Sequence, residues 1–449
     1  MHILAIETSC DETAAAVVRD GTKILSNVVA TSADMHEKWG GIVPEVAARK
    51  QLEYIIPVLI EALAPFTNSR EKSLAFSSKL SFGLDKTTKS NKPSNHLTIQ
   101  PSSYNLQPTT DNRQQLYAYK PLIDQNIDFI AVTIGPGLIG SLLIGVEVAK
   151  TIAWICNKPI IPVNHVLAHT YANFVQSQKS KVKSQKLDKT ANSHKTVLSN
   201  NNLSIQPREA GFRFAQQSSN PTIPFPAISL VVSGGHTELY LMKSPKNLKW
   251  LGGTIDDAAG EAFDKTARLI GLGAGGGLAI QNAAERYEPK TMNLPTGRQG
   301  QELKLPRPML KSNDLNFSFS GLKTAVMRQW KTYSSVKQST VSSQKLISAF
   351  AYEIQEAICD VLISKTLQAA RRYSAKSILL SGGVAANLKL RSKFQSAIHN
   401  QQLTINLFVP PVSLCTDNAV YIAAYAFFYG KPRDVISITA TPDLSVEIY

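Results

Sequence analysis

The chain has 449 residues, of which 43% are hydrophobic, and a formal net charge of +15. A chain of this length exceeds one ordinary hydrophobic core, so we expect at least two lobes. The four cysteines form no C-x-x-C pair, which argues against a zinc ribbon. No run of eighteen apolar residues occurs, which argues against a membrane protein. The chain starts with a strand-like run and not with a signal peptide, so we expect a soluble cytoplasmic protein.

The N-terminal part predicts three strands joined by two turns. Short apolar runs at Ile3–Ile6, Ala14–Arg19 and Ile24–Val29 are typical of buried strands. The polar stretch 7–13 separates the first two strands, and Asp20-Gly21 forms a tight hairpin turn between the last two.

A helix from Pro44 to about Ala64 leads into the first of two unusual segments. Residues 67–120 have a net charge of +5 and residues 177–213 a net charge of +6, so together they hold most of the positive charge. Both are rich in Ser, Thr, Asn, Gln and Lys and poor in periodic apolar residues, which predicts two flexible insertions, the second reaching about residue 222. Such basic insertions bind RNA backbone or only keep themselves in solution, and both interpretations stay open.

Between the insertions lies a histidine pair. The strand Phe129–Ile134 runs into a glycine-rich turn and an apolar helix, and His165 and His169 follow, four residues apart in a helix-compatible stretch. Residues at this spacing lie on one helix face. Far downstream, Asp417 supplies a lone carboxylate. Two imidazoles and one carboxylate suit a borderline metal ion with positions open for substrate, so we predict a catalytic metal site, although the spacing alone also fits two ordinary surface histidines.

The second half repeats the plan of the first. The predicted elements are the strand Ala227–Val232, the turn Ser233-Gly-Gly-His-Thr237, the strands Glu238–Met242 and Trp250–Thr254, an amphipathic helix from about Asp257 to Ile270, a long helix at about Leu346–Arg372, the strand Ser377–Leu380 and the turn Ser381-Gly-Gly-Val-Ala-Ala-Asn387. Two copies of strand, polar turn, strand, strand and helix predict a duplicated α/β fold.

Two lobes that face each other across such turns describe the architecture of actin, Hsp70 and sugar kinases, with a nucleotide in the cleft. Turns without side chains let backbone N–H groups approach a phosphate, and helix N-termini favour its charge. We assign this role to Ser233-Gly234-Gly235 and Ser381-Gly382-Gly383, whereas Gly135-Pro136-Gly137 shapes the start of a helix. The sequence contains no P-loop and no dinucleotide fingerprint.

Nine ordered motifs resemble the signature blocks of the TsaD/Gcp/OSGEP family. They are Ile6-Glu-Thr-Ser-Cys-Asp-Glu-Thr13, Gly40-Gly-Ile-Val-Pro-Glu45, Gly135-Pro-Gly-Leu138, His165 with His169, Ser233-Gly-Gly-His-Thr237, Ile255-Asp-Asp-Ala-Ala-Gly-Glu-Ala-Phe-Asp-Lys265, Phe317-Ser-Phe-Ser-Gly-Leu-Lys323, Ser381-Gly-Gly-Val-Ala-Ala-Asn387 and Cys415-Thr-Asp-Asn418. The resemblance covers the chain except the two insertions and a short excess near Pro289–Gln301. It implies a two-lobed actin-like ATPase fold (ASKHA, duplicated RNase H-like) with two low-complexity insertions.

The resemblance also implies a reaction. Such proteins transfer the threonylcarbamoyl group of threonylcarbamoyl-adenylate to N6 of adenosine 37 in tRNAs that read ANN codons, forming t6A and releasing AMP. By matching motifs, His165, His169 and Asp417 would bind the metal, which is iron or, alternatively, zinc. The adenylate would be held by Val231, Val232, Ser233, Gly234, Gly235, Asp264, Gly277 and Asn387.

The polar turn at residues 7–13, which we call the first turn, places two acids where this fold presents a phosphate-facing loop. Asp11 and Glu12 are therefore candidate catalytic residues that accept a proton or position the amine, with a solvated acidic turn as the alternative. Glu261 and Lys265 are explained by an ordinary i,i+4 ion pair. Lys323 is a candidate contact for tRNA phosphate.

One departure from the family pattern concerns the histidine pair. The family usually has H-x-E-G-H, whereas this chain has Leu167 and Ala168, which leaves open how a ligand histidine is oriented. The same departure removes a local general base, which argues against a metallopeptidase. An actin-fold ATPase or small-molecule kinase, or a catalytically diverged scaffold of the t6A complex, stays as an alternative, but neither explains the histidine pair.

The predicted domains are a first lobe at 1–163, a second lobe at 164–414 and a C-terminal segment at 415–449 with a helix returning to the cleft between the lobes. The resemblance implies four partners: tRNA, a TsaB-like paralogue docking on the helix around Gly135–Cys156, a TsaE-like ATPase and a separate synthase that makes the adenylate. No membrane partner is expected.

Overall fold

The computed structural model describes residues 1–36, 39, 41–67, 118–175, 222–273, 275–287, 303–334 and 343–448, and the backbone of 96–99. Gly40, nearly all of both predicted insertions and the segment near Pro289–Gln301 lie outside the described residues. The flexibility of the insertions therefore stays a prediction, as do the domain boundaries.

The N-terminal sheet has six strands in the order β4-β3-β2-β1-β5-β6. They are β1 (His2–Glu7), β2 (Glu12–Arg19), β3 (Lys23–Thr31), β4 (His96–Ile99), β5 (Phe129–Gly135) and β6 (Ile160–Asn164). β1, β2 and β3 form an antiparallel meander, while β5 and β6 continue the sheet in parallel. At the turn after β2, Asp20 and Gly21 both have positive φ (51° and 64°), as a type I′ hairpin turn requires.

The strand β4 lies inside the first predicted insertion. Its four residues pair in parallel with residues 27–30 of β3. The polar composition did not predict this strand; the edge of β3 supplies the backbone partners that make it form.

The second sheet has five strands in the order β11-β10-β7-β8-β9. They are β7 (Ala227–Val232), β8 (Thr237–Ser244), β9 (Asn247–Gly253), β10 (Ser377–Ser381) and β11 (Asn406–Phe408). β9, β8 and β7 form an antiparallel meander and β10 and β11 follow in parallel, so the order matches β3-β2-β1-β5-β6 of the first sheet. The predicted duplication is confirmed, and the fold is the two-lobed α/β fold of actin-like ATPases.

Eleven α-helices lie within the described ranges. In chain order they are α1 (Ala33–His36), α2 (Pro44–Ala62), α3 (Lys120–Asn126), α4 (Ile139–Ile155), α5 (His165–His169), α6 (Ala259–Leu269), α7 (Gly276–Ala284), α8 (Ser320–Ser334), α9 (Ser343–Arg372), α10 (Leu388–Asn400) and α11 (Ala419–Phe428). None of them is long and apolar enough to cross a membrane.

Three apolar clusters hold the two sheets and their helices together. In the first, α2 and α4 pack on one face of the N-terminal sheet; in the second, α6, α7, α8 and α9 pack on one face of the second sheet. The third lies between the lobes, where α5 and α11 fill the space between side chains of β1, β2, β7 and β8. The two elements that bear the histidines and Asp417 are therefore buried between the sheets.

Candidate metal centre and adjoining turns

The short helix α5 presents the two histidines on one face. Asn164 caps its N-terminus, because the side-chain oxygen accepts from the N–H groups of Val166 and Leu167 (3.1 and 3.2 Å). His165 and His169 are both buried, with ring centroids 4.8 Å apart. The predicted i,i+4 arrangement is confirmed, and the interpretation as two surface histidines is wrong.

Asp417 reaches the histidines from the start of α11. Asn418 caps that helix by accepting from the Val420 N–H (3.0 Å), which leaves Asp417 just outside the first turn. Its Oδ1 lies 3.6 Å from His165 Nε2 and 3.5 Å from His169 Nε2. The buried Tyr421 donates to the same oxygen (3.2 Å) and its ring packs against His169, so the carboxylate is held in position.

The three side chains fit a small divalent ion. Their candidate ligand atoms all lie within 4.8 Å of one another. Ligands about 2.1 Å from a tetrahedral ion are roughly 3.4 Å apart, close to the separations from Asp417 to both histidines. Within the described residues, neither ring nitrogen of His169 has a hydrogen-bond partner although the side chain is 1% exposed. Buried polar nitrogens are normally paired, and a metal ion would pair the one that faces Asp417.

Glu7 is a candidate site residue that the sequence analysis missed. It ends β1, is 1% exposed, and its Oε2 lies 3.0 Å from His165 Nδ1, the ring nitrogen away from Asp417. Thr133 donates to the same oxygen (2.5 Å), and the Ser9 N–H donates to the other (2.6 Å). Leu167 and Ala168 lie in the apolar cluster between the lobes, so the carboxylate that orients a histidine comes from β1.

The charges of this group are strongly coupled. Burial alone would raise the pKa of Glu7, but the charge and hydrogen bond of His165 outweigh it and hold the pKa below its usual range. Burial would lower the pKa of His165, yet the carboxylates of Glu7 and Asp417 raise it to about 9. Burial also lowers the pKa of His169, which favours the neutral imidazole that a metal needs.

We expect Glu7→Gln to weaken metal binding by about 10- to 100-fold, the range seen when a partner of a ligand histidine is removed. The amide keeps the size of the side chain but no longer accepts the full charge-assisted bond from His165. Metal retention against a competing chelator measures the effect. Glu53→Gln, which changes a half-exposed carboxylate on α2 in the same way, is the matched control. Equal retention by both variants would contradict the role of Glu7.

The first turn lies next to this centre and is fixed from several sides. Gln51 of α2 donates to the carbonyls of Cys10 and Glu12 (2.9 and 3.1 Å), and Ser9 Oγ lies 3.2 Å from His165 Nδ1. A Cβ on Gly137 would lie 2.4 Å from the Ser9 carbonyl oxygen, so only glycine allows the start of α4 to approach this closely. The prediction that this glycine turn shapes the start of a helix is confirmed.

Asp11 and Glu12 in this turn form a carboxyl pair. Both are half-buried. Burial, the neighbouring Asp11 and Asp417 raise the pKa of Glu12 well above its ordinary value. Like charges this close do not both ionise easily, so Glu12 keeps its proton at a pH where most carboxyl groups have lost theirs.

The turn Ser233-Gly234-Gly235 opens toward the same region. A Cβ on Gly234 or Gly235 would meet nothing within 4 Å, so backbone groups there are accessible to a ligand. The next residue, His236, donates its N–H to Ser233 Oγ (3.1 Å). Burial and the charges of His165 and His169 lower the pKa of His236 to about 4, so the charge of the histidine pair is felt at this turn.

The turn Ser381-Gly382-Gly383 and the start of α7 are the other glycine-rich parts of the candidate site. Gly382 has φ of 88°, and a Cβ there would lie 2.3 Å from the Val232 carbonyl oxygen, which brings the two turns into direct contact. Asp264 of α6 is exposed and lies against Gly276 at the start of α7. Partial desolvation of its carboxyl raises the pKa of Asp264. Gly277 faces open space one residue further on.

The remaining predicted residues are placed differently. Val231 and Val232 have side chains buried in two apolar clusters, so only their backbone can face a ligand. Asn387 uses its oxygen to cap α10 through the Leu390 N–H (2.9 Å) and its amide to donate to Gln355 (2.9 Å). Glu261 and Lys265 form the expected ion pair (2.7 Å).

Comparison with known proteins identifies the family. The family model described as "TsaD: tRNA N6-adenosine threonylcarbamoyltransferase" matches residues 23–72, 115–183 and 211–424. A protein of that name from Syntrophomonas wolfei is 38% identical over 98% of this chain and 97% of its own length. Namesakes from Moorella thermoacetica and Bacillus subtilis are each 36% identical, over 99% and 100% of this chain and 96% and 97% of their own lengths. The chain belongs to the family of tRNA N6-adenosine threonylcarbamoyltransferases.

Proposed function

We propose that the chain holds threonylcarbamoyl-adenylate between the metal centre and the glycine turns while it transfers the threonylcarbamoyl group to tRNA. Family membership makes the chain a transferase that forms t6A in tRNA. The observation that carries the assignment of the site is His236, which donates its N–H to Ser233 Oγ and is near enough to His165 and His169 for their charges to lower its pKa. A phosphate on the turn would place the neighbouring carbamoyl group at the metal centre.

The glycine turns supply the adenylate contacts. Accessible N–H groups at Gly234 and Gly235 suit the phosphate, and the N-terminal turn of α7 with Gly277 adds further donors. The Ser233 N–H already donates to the His236 carbonyl (2.8 Å), so Ser233 contributes by closing the turn. Asp264 is an acceptor suited to the ribose hydroxyls. The backbone of Val231 and Val232 forms the base of the proposed adenylate site. Asn387 holds the start of α10 and the turn Ser381-Gly382-Gly383 in place, in addition to any direct contact with the adenylate.

His165, His169 and Asp417 would hold one divalent ion, and we assign iron rather than zinc. A set of two histidines and one carboxylate with open positions is the arrangement favoured by Fe(II), although zinc accepts the same ligands. When bound, the ion supplies Lewis-acid polarisation of the carbamoyl or phosphate oxygen. Glu7 orients His165, and Tyr421 orients Asp417.

The first turn moves the proton. Attack by the exocyclic amine of adenosine 37 forms the N6–C bond, the bond from carbon to the phosphate oxygen breaks, and AMP leaves with its electron pair. The amine proton goes to a carboxylate of the first turn. We assign this role to Asp11, because burial and the neighbouring carboxylates raise the pKa of Glu12 well above its ordinary value.

An apolar surface on the first lobe suits the partner protein. Ile42, Leu52, Ile139 and Leu143 are each between 41% and 63% exposed. α2 and α4 meet at Gly140, where an added Cβ would lie 3.3 Å from the Ala48 Cβ, one turn from Leu52 and next to Ile139. We assign this surface to a TsaB-like paralogue. A TsaE-like ATPase and an upstream synthase complete the pathway, which we place in the cytoplasm with its tRNA substrate.

The reaction is tested by supplying labelled threonylcarbamoyl-adenylate, metal, the two partner proteins and an ANN-decoding tRNA. We expect label in t6A at adenosine 37 and stoichiometric AMP. A tRNA that reads codons beginning with another base is the matched control and should stay unlabelled. AMP release without labelled tRNA would show hydrolysis in place of transfer and would sink the proposal.

A further inference from the structure

The two halves of the described chain differ in charge. Counted over the described residues, those up to Val175 have four more acidic than basic side chains, and those from Thr222 onward have eight more basic than acidic ones. Residues 303–334 alone contain six basic residues and one acid. A polyanion would therefore bind the described part of the second lobe more strongly than the described part of the first.

Four of these cations, three on α8 and one beside it, make up what we name the basic ridge: Lys304, Lys323, Arg328 and Lys331. At 100° per residue the last three lie within about 140° of the circumference of α8, away from the buried Leu322 and Val326. The Lys304 carbonyl accepts from the side chain of Gln329 (3.2 Å), which places Lys304 beside the same helix. None of the four forms an ion pair with an acid of the described residues.

The first turn of α8 is linked through hydrogen bonds to the turn that bears His236. The Thr254 N–H donates to the carbonyl of Thr237, the residue after His236 (2.9 Å). Two residues further on, Asp256 accepts from Ser318 Oγ, Ser320 Oγ and the Phe319 N–H (2.5, 2.7 and 2.8 Å), which fixes the first turn of α8. From there α8 runs for fifteen residues, or about 22 Å.

We propose that the basic ridge binds the phosphate backbone of the stem next to the adenosine that enters the site. This inference rests on the proposed function and adds the surface that positions the RNA. Its chemistry is backbone recognition: four separated cations without acid partners match phosphates along a helical stem and carry no base specificity. Asp256 is a positioning residue, because it sets the direction in which α8 leaves the site.

The test compares two triple variants of the full chain with the same change of charge. One is Lys304→Gln with Arg328→Gln and Lys331→Gln; the control is Lys243→Gln with Lys246→Gln and Lys249→Gln. The control lysines are exposed on the hairpin of β8 and β9, whose tip lies at the other end of β8 from Thr237. The probe is the ANN-decoding tRNA, and its Kd is measured from 50 to 200 mM salt.

We expect the ridge variant to bind tRNA about 10- to 100-fold more weakly at 100 mM salt and its salt slope to fall by about 2 to 3, since each lost phosphate contact removes about 0.7 to 0.9. The control should stay within about twofold of the wild type. Arg328→Lys keeps the charge and should retain wild-type affinity, which separates lost charge from damage to the fold.

Equal affinity of the two triple variants would overturn the proposal and leave a protein as the occupant of this surface. Because binding is measured without turnover, failure of the ridge is distinguishable from failure of the proposed function. A wild-type chain that modifies tRNA while the ridge variant binds it normally refutes the ridge alone.

Discussion

The double variant His165→Ala with Asp417→Ala loses the metal and at least about 10³ of the transfer rate. We propose that three side chains hold the ion, so removing two of them leaves His169 as a single ligand. A loss of 10³ corresponds to about 4 kcal/mol of transition-state stabilisation, within the range that a Lewis-acid metal supplies. Metal content per chain and the rate of labelled transfer are measured on the same preparations.

His2→Ala is the matched control for this experiment. It also removes an imidazole from the first lobe, but His2 Nδ1 lies 2.8 Å from the Asn126 carbonyl oxygen and not at the centre. We expect normal metal content and rate. Chelator treatment of the wild type should reproduce the loss, and added Fe(II) should restore it in the wild type only. A double variant that retains full transfer would remove the metal from the mechanism.

Metal uptake should also depend on pH. Without metal, Glu7 and Asp417 raise the pKa of His165 to about 9, so below that pH the ion displaces a proton to bind. Affinity therefore rises with pH up to about 9 and then levels off.

The sequence predicted the parts of this site that depend on periodicity and spacing. The duplicated strand pattern gave both sheets, because alternation and turn residues are local properties. The histidine pair was found because i,i+4 spacing on a helix is geometry that the chain shows directly. The β4 strand was missed because its stability comes from the edge of β3 and not from its own composition.

Glu7 shows why the rest of the site could not be derived in the same way. Its contact with His165 joins residues 158 positions apart, and no local pattern records such a distance. The available signal was a carboxylate at the end of a strand whose other residues are buried, since a buried charge requires a partner. Tyr421 lacked even that signal, because an aromatic residue in an apolar helix is ordinary core.

The two acids of the first turn should respond differently to neutralisation. Asp11→Asn removes the proton acceptor, so we expect the transfer rate to fall by about 10²- to 10⁴-fold, the usual contribution of a general base. Glu12→Gln should cost less than about tenfold, because the amide replaces a carboxyl group that is already protonated. Single-turnover transfer with saturating adenylate and tRNA measures both effects without a contribution from product release.

Stability gives an independent readout of the same assignment. Burial and Asp11 raise the pKa of Glu12 in the folded chain, so the folded state binds a proton that the unfolded state releases as the pH rises. The free energy of unfolding therefore falls as the pH rises from the unfolded pKa to the folded one. Glu12→Gln removes this loss, so the variant should match the wild type at pH 4 and melt at a higher temperature than the wild type at pH 8.

Glu45→Gln is the control for that comparison, because Glu45 on α2 is exposed and its neutralisation should leave the melting temperature unchanged at both pH values. A Glu12→Gln variant that loses as much rate as Asp11→Asn, with no gain in stability at pH 8, would make Glu12 the ionised acceptor and reverse the two roles. If Glu12→Gln raises the stability and nearly keeps the transfer rate, the repulsion between Glu12 and Asp11 destabilises the fold. Its role would then be to orient Asp11.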